Sequence, residues 1–294
     1  ANGIDLQNND GLVWIKNRNN DNAHILFDSK RGSNPFEKRL NSNNTNGEHF
    51  DSGGHYIVPN SNGNGFTTKG NDAAINSDSS YSYVSWTWRA APKFFDVVQY
   101  SGTGSQQSIA HNLGQVPGMI IHKRTDTNED WRVYHRMANG GNSPEDYIIQ
   151  LNGDDDFSND NTNFGAPTST HFVVKTSSGT NNSSGTYIAY LFGHDTSSDG
   201  MIQCGSYTGD GGSSNSVNLG FEPQWVLIKA AASSTNRRWV ILDNIRGIVS
   251  NGDDERLEAD YAGQGVNAGG ITLTPSGFYL ESNNEYNSNG ATYI

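Results

Sequence analysis

Cysteine is nearly missing from this chain. One residue, Cys204, among 294 rules out any intrachain disulfide, so stability must come from a packed core, from assembly, or from manufacture in a reducing cytoplasm before release. Charge is also sparse, at 17% of residues with a net of −12, and no Lys/Arg cluster is available to neutralise a track of phosphates. That argues against a nucleic-acid partner, while an acidic, patch-poor surface keeps a protein soluble at high local density. No stretch approaches the ~18 apolar residues that a membrane-spanning helix needs, and no membrane insertion is expected. The opening ANGIDLQNNDG has neither a basic region nor an apolar run, so it does not read as a secretory signal. Without an initiator Met it reads as processed, or as the ordered window of a longer protein.

Aromatic residues, by contrast, reach 11% and gather in short runs such as YSYVSWTWRA. A disordered chain lacks such runs. The pattern predicts short strands of Val, Ile, Tyr, Trp and Phe separated by polar, turn-rich loops, with almost no helical periodicity. One helical turn or two is expected only in DDERLEADYA at 253–262.

The strands recur. LVWIK, MIIHK and WVLIK end at Lys16, Lys123 and Lys229, spaced 107 and 106 residues apart. Each is followed by a second strand, at HILFDSKRG, WRVYHRMANGG and WVILDNIRG. Phe66, Phe172 and Phe278 open a later strand at spacings of 106 and 106. Tyr83, Tyr187 and Tyr293 anchor YSYVSWTW, GTYIAYLF and ATYI. A Tyr-x-Gly-x-Gly element at Tyr100 returns at Tyr207, 107 residues on, and is missing from the first copy. Ordered landmarks at constant spacing make the chain three copies of a unit of about 106 residues.

The expected architecture is therefore all-β: three tandem β-sandwich-like repeat modules, residues 1–92, 93–199 and 200–294, the first truncated at its N-terminus and the last at its C-terminus. In the leading strands both alternating sets of positions are apolar, as in Leu12/Trp14 and Val13/Ile15, so both faces need cover, as inside a two-sheet sandwich. Modules of this size bury enough surface to stand alone. A missing edge strand also leaves a second arrangement, in which the first and last copies complete each other in a closed or oligomeric form. Gly114 and Gly220, each followed by a Pro before a strand, shape a corner that needs positive φ.

Chemistry should show as departures from the repeat, and no nucleophile elbow, zinc-protease, Walker or dinucleotide-binding motif occurs. No catalytic residue and no resident cofactor is expected. His122 and His135 replace Ile and Asp of the other copies and form the weak candidate for a transition-metal pair, against two ordinary histidines. Asp154, Asp155, Asp156 and Asp160 form the calcium candidate, against a solvated loop. NGDDERLEAD at 251–260 is the corresponding acidic run of the third copy. Trp86, Trp88, Tyr100 and Tyr207 are the candidate aromatic sugar-binding surface, against core packing.

The pattern Y-(S/T)-G-x-G, L-G-x-x-P, K-ended strand, W-x-(V/I)-(Y/L)-(H/D) and (G/A)-T-Y-I resembles the tandem repeats of tail-fibre and related virion-appendage proteins of phages, notably marine ones. GLVWIKNR, LFDS-x-RG and YVSWTWRA carry the likeness, which covers nearly the whole chain. The resemblance implies a non-enzymatic structural protein at the virion surface, made in the host cytoplasm and released by lysis, with modules strung along a fibre. It implies other virion subunits and a host-surface glycan or protein as partners, and a homo-oligomer, in such fibres commonly a trimer. Contacts would be made by loops, those most prone to vary being 41–63, 138–168 and 248–275. A capsid- or fibre-decorating protein, a polysaccharide depolymerase and a cellular adhesin are the alternatives.

Overall fold

The structure is a computed structural model that describes residues 2–32, 36–50, 52–77, 79–212, 215–233, 237–248, 254–267, 269–281 and 285–294. It is all-β, built from antiparallel sheets. The first third of the chain supplies β1 (Gly11–Asn17), β2 (Ile25–Asp28), β3 (Lys38–Asn41), β4 (His49–Phe50), β5 (Tyr56–Pro59), β6 (Phe66–Lys69) and β7 (Tyr83–Arg89). The middle supplies β8 (Phe95–Ser101), β9 (Gln107–Ala110), β10 (Met119–Arg124), β11 (Arg132–His135), β12 (Tyr147–Gln150), β13 (Ser158–Asn159), β14 (Phe164–Gly165), β15 (His171–Val174) and β16 (Thr186–Phe192). The last third supplies β17 (Tyr207–Thr208), β18 (Asn215–Asn218), β19 (Trp225–Ile228), β20 (Ala230–Ala232), β21 (Val240–Asp243), β22 (Glu255–Glu258), β23 (Val266–Asn267), β24 (Ile271–Thr274), β25 (Gly277–Leu280) and β26 (Thr292–Tyr293).

One strand order returns in each third. The large sheets run β4-β3-β2-β1-β7, then β13-β12-β11-β10-β16-β8, then β23-β22-β21-β19 continued by β20-β26-β17. Smaller sheets run β5-β6, β14-β15-β9 and β24-β25-β18. Pairing partners match position by position: Val13 faces Phe27, Ile120 faces Tyr134 and Val226 faces Leu242. Residues 253–262 do not form a helical turn. Glu255–Glu258 is β22, the counterpart of β3 and β12, paired to β21, and Asp253 lies outside the described residues. The alternation of ERLE, with Arg256 and Leu257 buried, suits a strand between neighbours better than an isolated turn.

The cover on the second strand face differs from the sandwich expectation. Val13 and Ile15 pack under the small sheet of their own third with Phe27, Phe36 and Ile57, and Ile120 and Val240 do likewise in theirs. The other face belongs to a core that all three thirds share. Leu12, Trp14, Trp86 and Trp88 meet Met119, Ile121, Trp131, Ile188 and Tyr190, and these meet Trp239, Ile241 and Leu257 in one buried cluster. The three units are thus not beads in a row, each with a complete core of its own. One face of each large sheet is buried in that shared cluster, against residues of the other thirds, although among the described residues no strand of the last third pairs with a strand of the first.

Candidate functional site: the junctions between the thirds

The junctions are built from the residues that recur. Lys16, Lys123 and Lys229 are all fully buried. Lys123 Nζ donates to Thr45 O at 3.2 Å, and Lys229 Nζ to Asp154 O at 2.9 Å, each reaching the preceding third. Lys16 Nζ turns instead to its own loop, donating to Asn17 O and Asn20 O. Burial lowers all three ammonium groups to a pKa of about 8. Two backbone carbonyls accept from each ammonium, and Lys123 and Lys229 are struts between thirds, whereas Lys16 braces its own loop.

Backbone hydrogen bonds at matching positions run in a circle. Glu48 N donates to Thr125 O, Phe157 N to Ala231 O and Gly265 N to Arg18 O, linking first to second, second to third and third back to first. Indoles do the same in the opposite sense. Trp131 Nε1 donates to Asn41 O at 2.9 Å and Trp239 Nε1 to Gln150 O at 2.7 Å. The matching first-third residue, His24, lies against the Glu258 backbone of the last third, and its Nδ1 accepts from Trp14 Nε1 at 2.9 Å. Burial, then the Lys16 charge, holds that imidazole neutral.

Two carboxylates complete the pattern. Asp28 takes Arg31 Nε at 2.5 Å and the Tyr190 hydroxyl at 2.7 Å, while Asp243 takes Arg246 Nε at 2.6 Å and Trp86 Nε1 at 2.9 Å. Tyr190 and Trp86 hold the same position in β16 and β7, so one device joins second to first and first to third. The corresponding residue of the second third is His135.

His135 and His122 do not converge. In the β10–β11 register Met119 faces His135 and His122 faces Arg132. His135 on β11 thus sits beside Met119, three positions along β10 from His122, and the two imidazoles project from opposite faces. His122 packs on Phe164 and Phe172, with Nδ1 3.3 Å from the Tyr100 hydroxyl. His135 accepts from Met137 N. Burial depresses both to a pKa of about 3, so both stay neutral.

The calcium candidates disperse as well. Asp154 offers its carbonyl to Lys229 and to Arg237 N, Asp156 accepts from Ser233 N, and Asp160 closes a turn on Thr162. Among the described residues no group of three or more His, Cys, Asp or Glu side chains is placed to hold a metal. Positions 251–253 of the corresponding third-copy run lie outside them. Asp260 caps Trp239 N and pairs with Arg238.

The aromatic surface is interior. Trp86, Trp88 and Tyr100 are 8%, 7% and 9% exposed. Trp86 and Trp88 face the shared core; Tyr100 stacks on Tyr187 at 5.1 Å, and the half-buried Tyr207 stacks on Tyr293 at 5.0 Å. Gly114 and Gly220 do adopt positive φ, +72° and +78°, as the corner required.

An open groove of about 340 Å³ lies where the last third meets the first. Arg18, Asn19, Ser82, Glu255, Gln264, Gly265 and Asn267 line it. Arg18 holds Glu255 through Nε at 2.9 Å and through a second nitrogen. Sequence reasoning could not find this groove, because Arg18, Asn19 and Ser82 of the first third meet residues 255–267 of the last only in the folded chain. No helix is long and apolar enough to cross a membrane among the described residues.

Fold and junctions together define an all-β protein in which three similarly ordered sheet units enclose one core. The chain belongs to a family described as a domain of unknown function, DUF7483, which matches residues 2–294. No curated protein and no solved structure matches it.

Proposed function

We propose that this chain is a non-enzymatic structural part of a virion appendage, a tail fibre or similar, that contributes to host-surface recognition. The observation that carries the reading is how the recurring buried polar groups are used: Lys123, Lys229, Asp28, Asp243, Trp131 and Trp239 all bond across junctions. Groups spent on rigidity suit a scaffold that presents surfaces. Recognition is assigned to the seam groove, whose amides Gln264 and Asn267 and ion pair Arg18–Glu255 offer donors and acceptors for sugar hydroxyls. Individually weak contacts of this kind gain strength from copy number on a virion.

Glycan cleavage has less support. Two carboxylates facing each other at roughly 5–10 Å are required, and Glu255 is the one acidic residue in the groove lining. Incubating the protein with host-surface polysaccharide, recording both retention and released reducing ends, separates the two. Retention without new reducing ends, lost in the variant Gln264→Ala with Asn267→Ala, is expected; reducing ends rising with time would refute the reading.

A further inference from the structure

Histidine stands in one of three matched places where the other two hold tryptophan. Trp131 and Trp239 donate to the final residues of β3 and β12, Asn41 and Gln150. His24 lies in the same way against the backbone of Glu258, the final residue of β22. An indole N–H does not titrate, whereas an unhindered imidazole takes up a second proton at about pH 6.5. Of the three junctions, the seam between the last third and the first is thus held by a group that acid can charge.

The surroundings leave no place for that second proton. Trp14 Nε1 can only donate, and it donates to His24 Nδ1 at 2.9 Å, so Nδ1 is bare and the neutral ring carries its proton on Nε2. Protonating Nδ1 sets one N–H against another. The residues that match Trp14 are Ile121 and Leu227, which present no such donor. Both His24 and Trp14 are buried. The charges that act on the ring, Lys16 on β1 and Arg246 beyond β21, are both positive; Asp21 acts on Lys16, and Asp243 binds Arg246. The Glu258 carboxylate turns to Arg238 and Arg256, at 3.3 and 3.4 Å, and Asn43, which accepts from His24 N, is neutral. A buried cation beside two others and facing a donor is far costlier than a solvated one. The imidazolium therefore forms where the ring has left its place.

We propose that the seam between the first and last thirds is an acid-operated latch, shut while His24 is neutral and released when its imidazole is protonated. Nearby bonds cross the same seam: Gly265 N to Arg18 O at 2.7 Å, Gln264 N to Asp21 Oδ1 at 3.1 Å, Ser42 Oγ to Ala259 O at 2.5 Å, and the Arg18–Glu255 pair. They part with it, and so do the two sides of the seam groove. The folded ring resists protonation and the released ring accepts it, so the latch holds at neutral pH and weakens as pH falls below about 6.5. The junctions held by Trp131 and Trp239 lack this trigger, so mild acid opens the molecule at one seam.

Three matched backbone amides report the three junctions, Glu48, Phe157 and Gly265. Their exchange is followed on the whole chain, corrected for the intrinsic pH dependence of exchange, from about pH 7.5 to about pH 5.5, above the isoelectric point of about 4.9. Opening at Gly265 should rise about 10-fold over that range, the linkage of one imidazole that titrates near 6.5 only when released, while Glu48 and Phe157 hold steady. His24→Gln offers Trp14 an acceptor and Glu258 a donor without a titrating group, and it should show no rise. Imidazole nitrogen-15 shifts of the parent chain at neutral pH should report a bare Nδ1 and a protonated Nε2. A Gly265 amide indifferent to pH, three amides opening together, an equal rise in His24→Gln, or the opposite tautomer would each overturn the proposal.

Discussion

Removing one oxygen atom should weaken the whole molecule. Tyr190 is fully buried on β16 of the second third, and its hydroxyl donates at 2.7 Å to Asp28, a fully buried carboxylate of the first. Burial, then the Asp28 charge, holds that phenol protonated at all ordinary pH. Tyr190→Phe deletes the donor without opening a large cavity. A hydrogen bond to a charged group contributes about 1.5–3 kcal/mol. Asp28 keeps its Arg31 partner at 2.5 Å, so the carboxylate is not orphaned and the lower half applies, about 1.5–2 kcal/mol. At roughly 2 cal/mol/K of unfolding entropy per residue, that lowers Tm by about 3 °C. Thermal melts followed by far-ultraviolet and tryptophan signals supply the assay. Both signals should shift together by that amount, because the bond crosses a junction of one shared core. A change below about 0.5 kcal/mol, the noise of a neutral surface substitution, would refute the reasoning, as would a shift in one signal alone.

Trp131→Ala should cost about 3–5 kcal/mol and, because its indole holds Asn41 O of the first third, should speed amide exchange in β3 as well as β11. Gly102→Val, whose Cβ would lie 2.1 Å from Asn182 O, should destabilise by about 3 kcal/mol or more, whereas Gly114→Ala, with open space but φ of +72°, should cost only about 1 kcal/mol; chemical denaturation measures both. The three junction lysines fall from 10.5 to about 8 in the folded chain, so between pH 8 and 10.5 the unfolded chain binds more protons and their contribution to stability rises with pH. Cys204, pushed up to about 12 by burial, and the buried tyrosines act oppositely above about pH 9–10. Melts should therefore show Tm rising from pH 7.5 to 9 and falling beyond 10, and Lys123→Met should reduce the rise.

The strands were legible where both alternating faces are apolar. LVWIK, MIIHK and WVLIK sit in matched places, and the glycine corners take the conformation that their sequence demanded. Four-residue strands with charged outer positions, KRLN and ERLE, were not legible, since their pattern is too short to separate from a turn. The larger miss was what covers the second face. An apolar face reads the same in sequence whether it meets its own module or a shared core, so Trp86 and Trp88 stood between core packing and a ligand-binding surface. Trp88 meets Phe192 and Trp225, and Trp86 donates to Asp243, partners from the other two thirds that only the folded chain brings near.

Differential scanning calorimetry of the intact chain tests the shared core most directly. One core predicts a single transition near 200 kcal/mol, from about 0.7 kcal/mol per residue near 60 °C, with calorimetric and van't Hoff enthalpies in a ratio close to one. A ratio approaching about three, or three resolved transitions, would mean that the thirds unfold separately and would contradict the account.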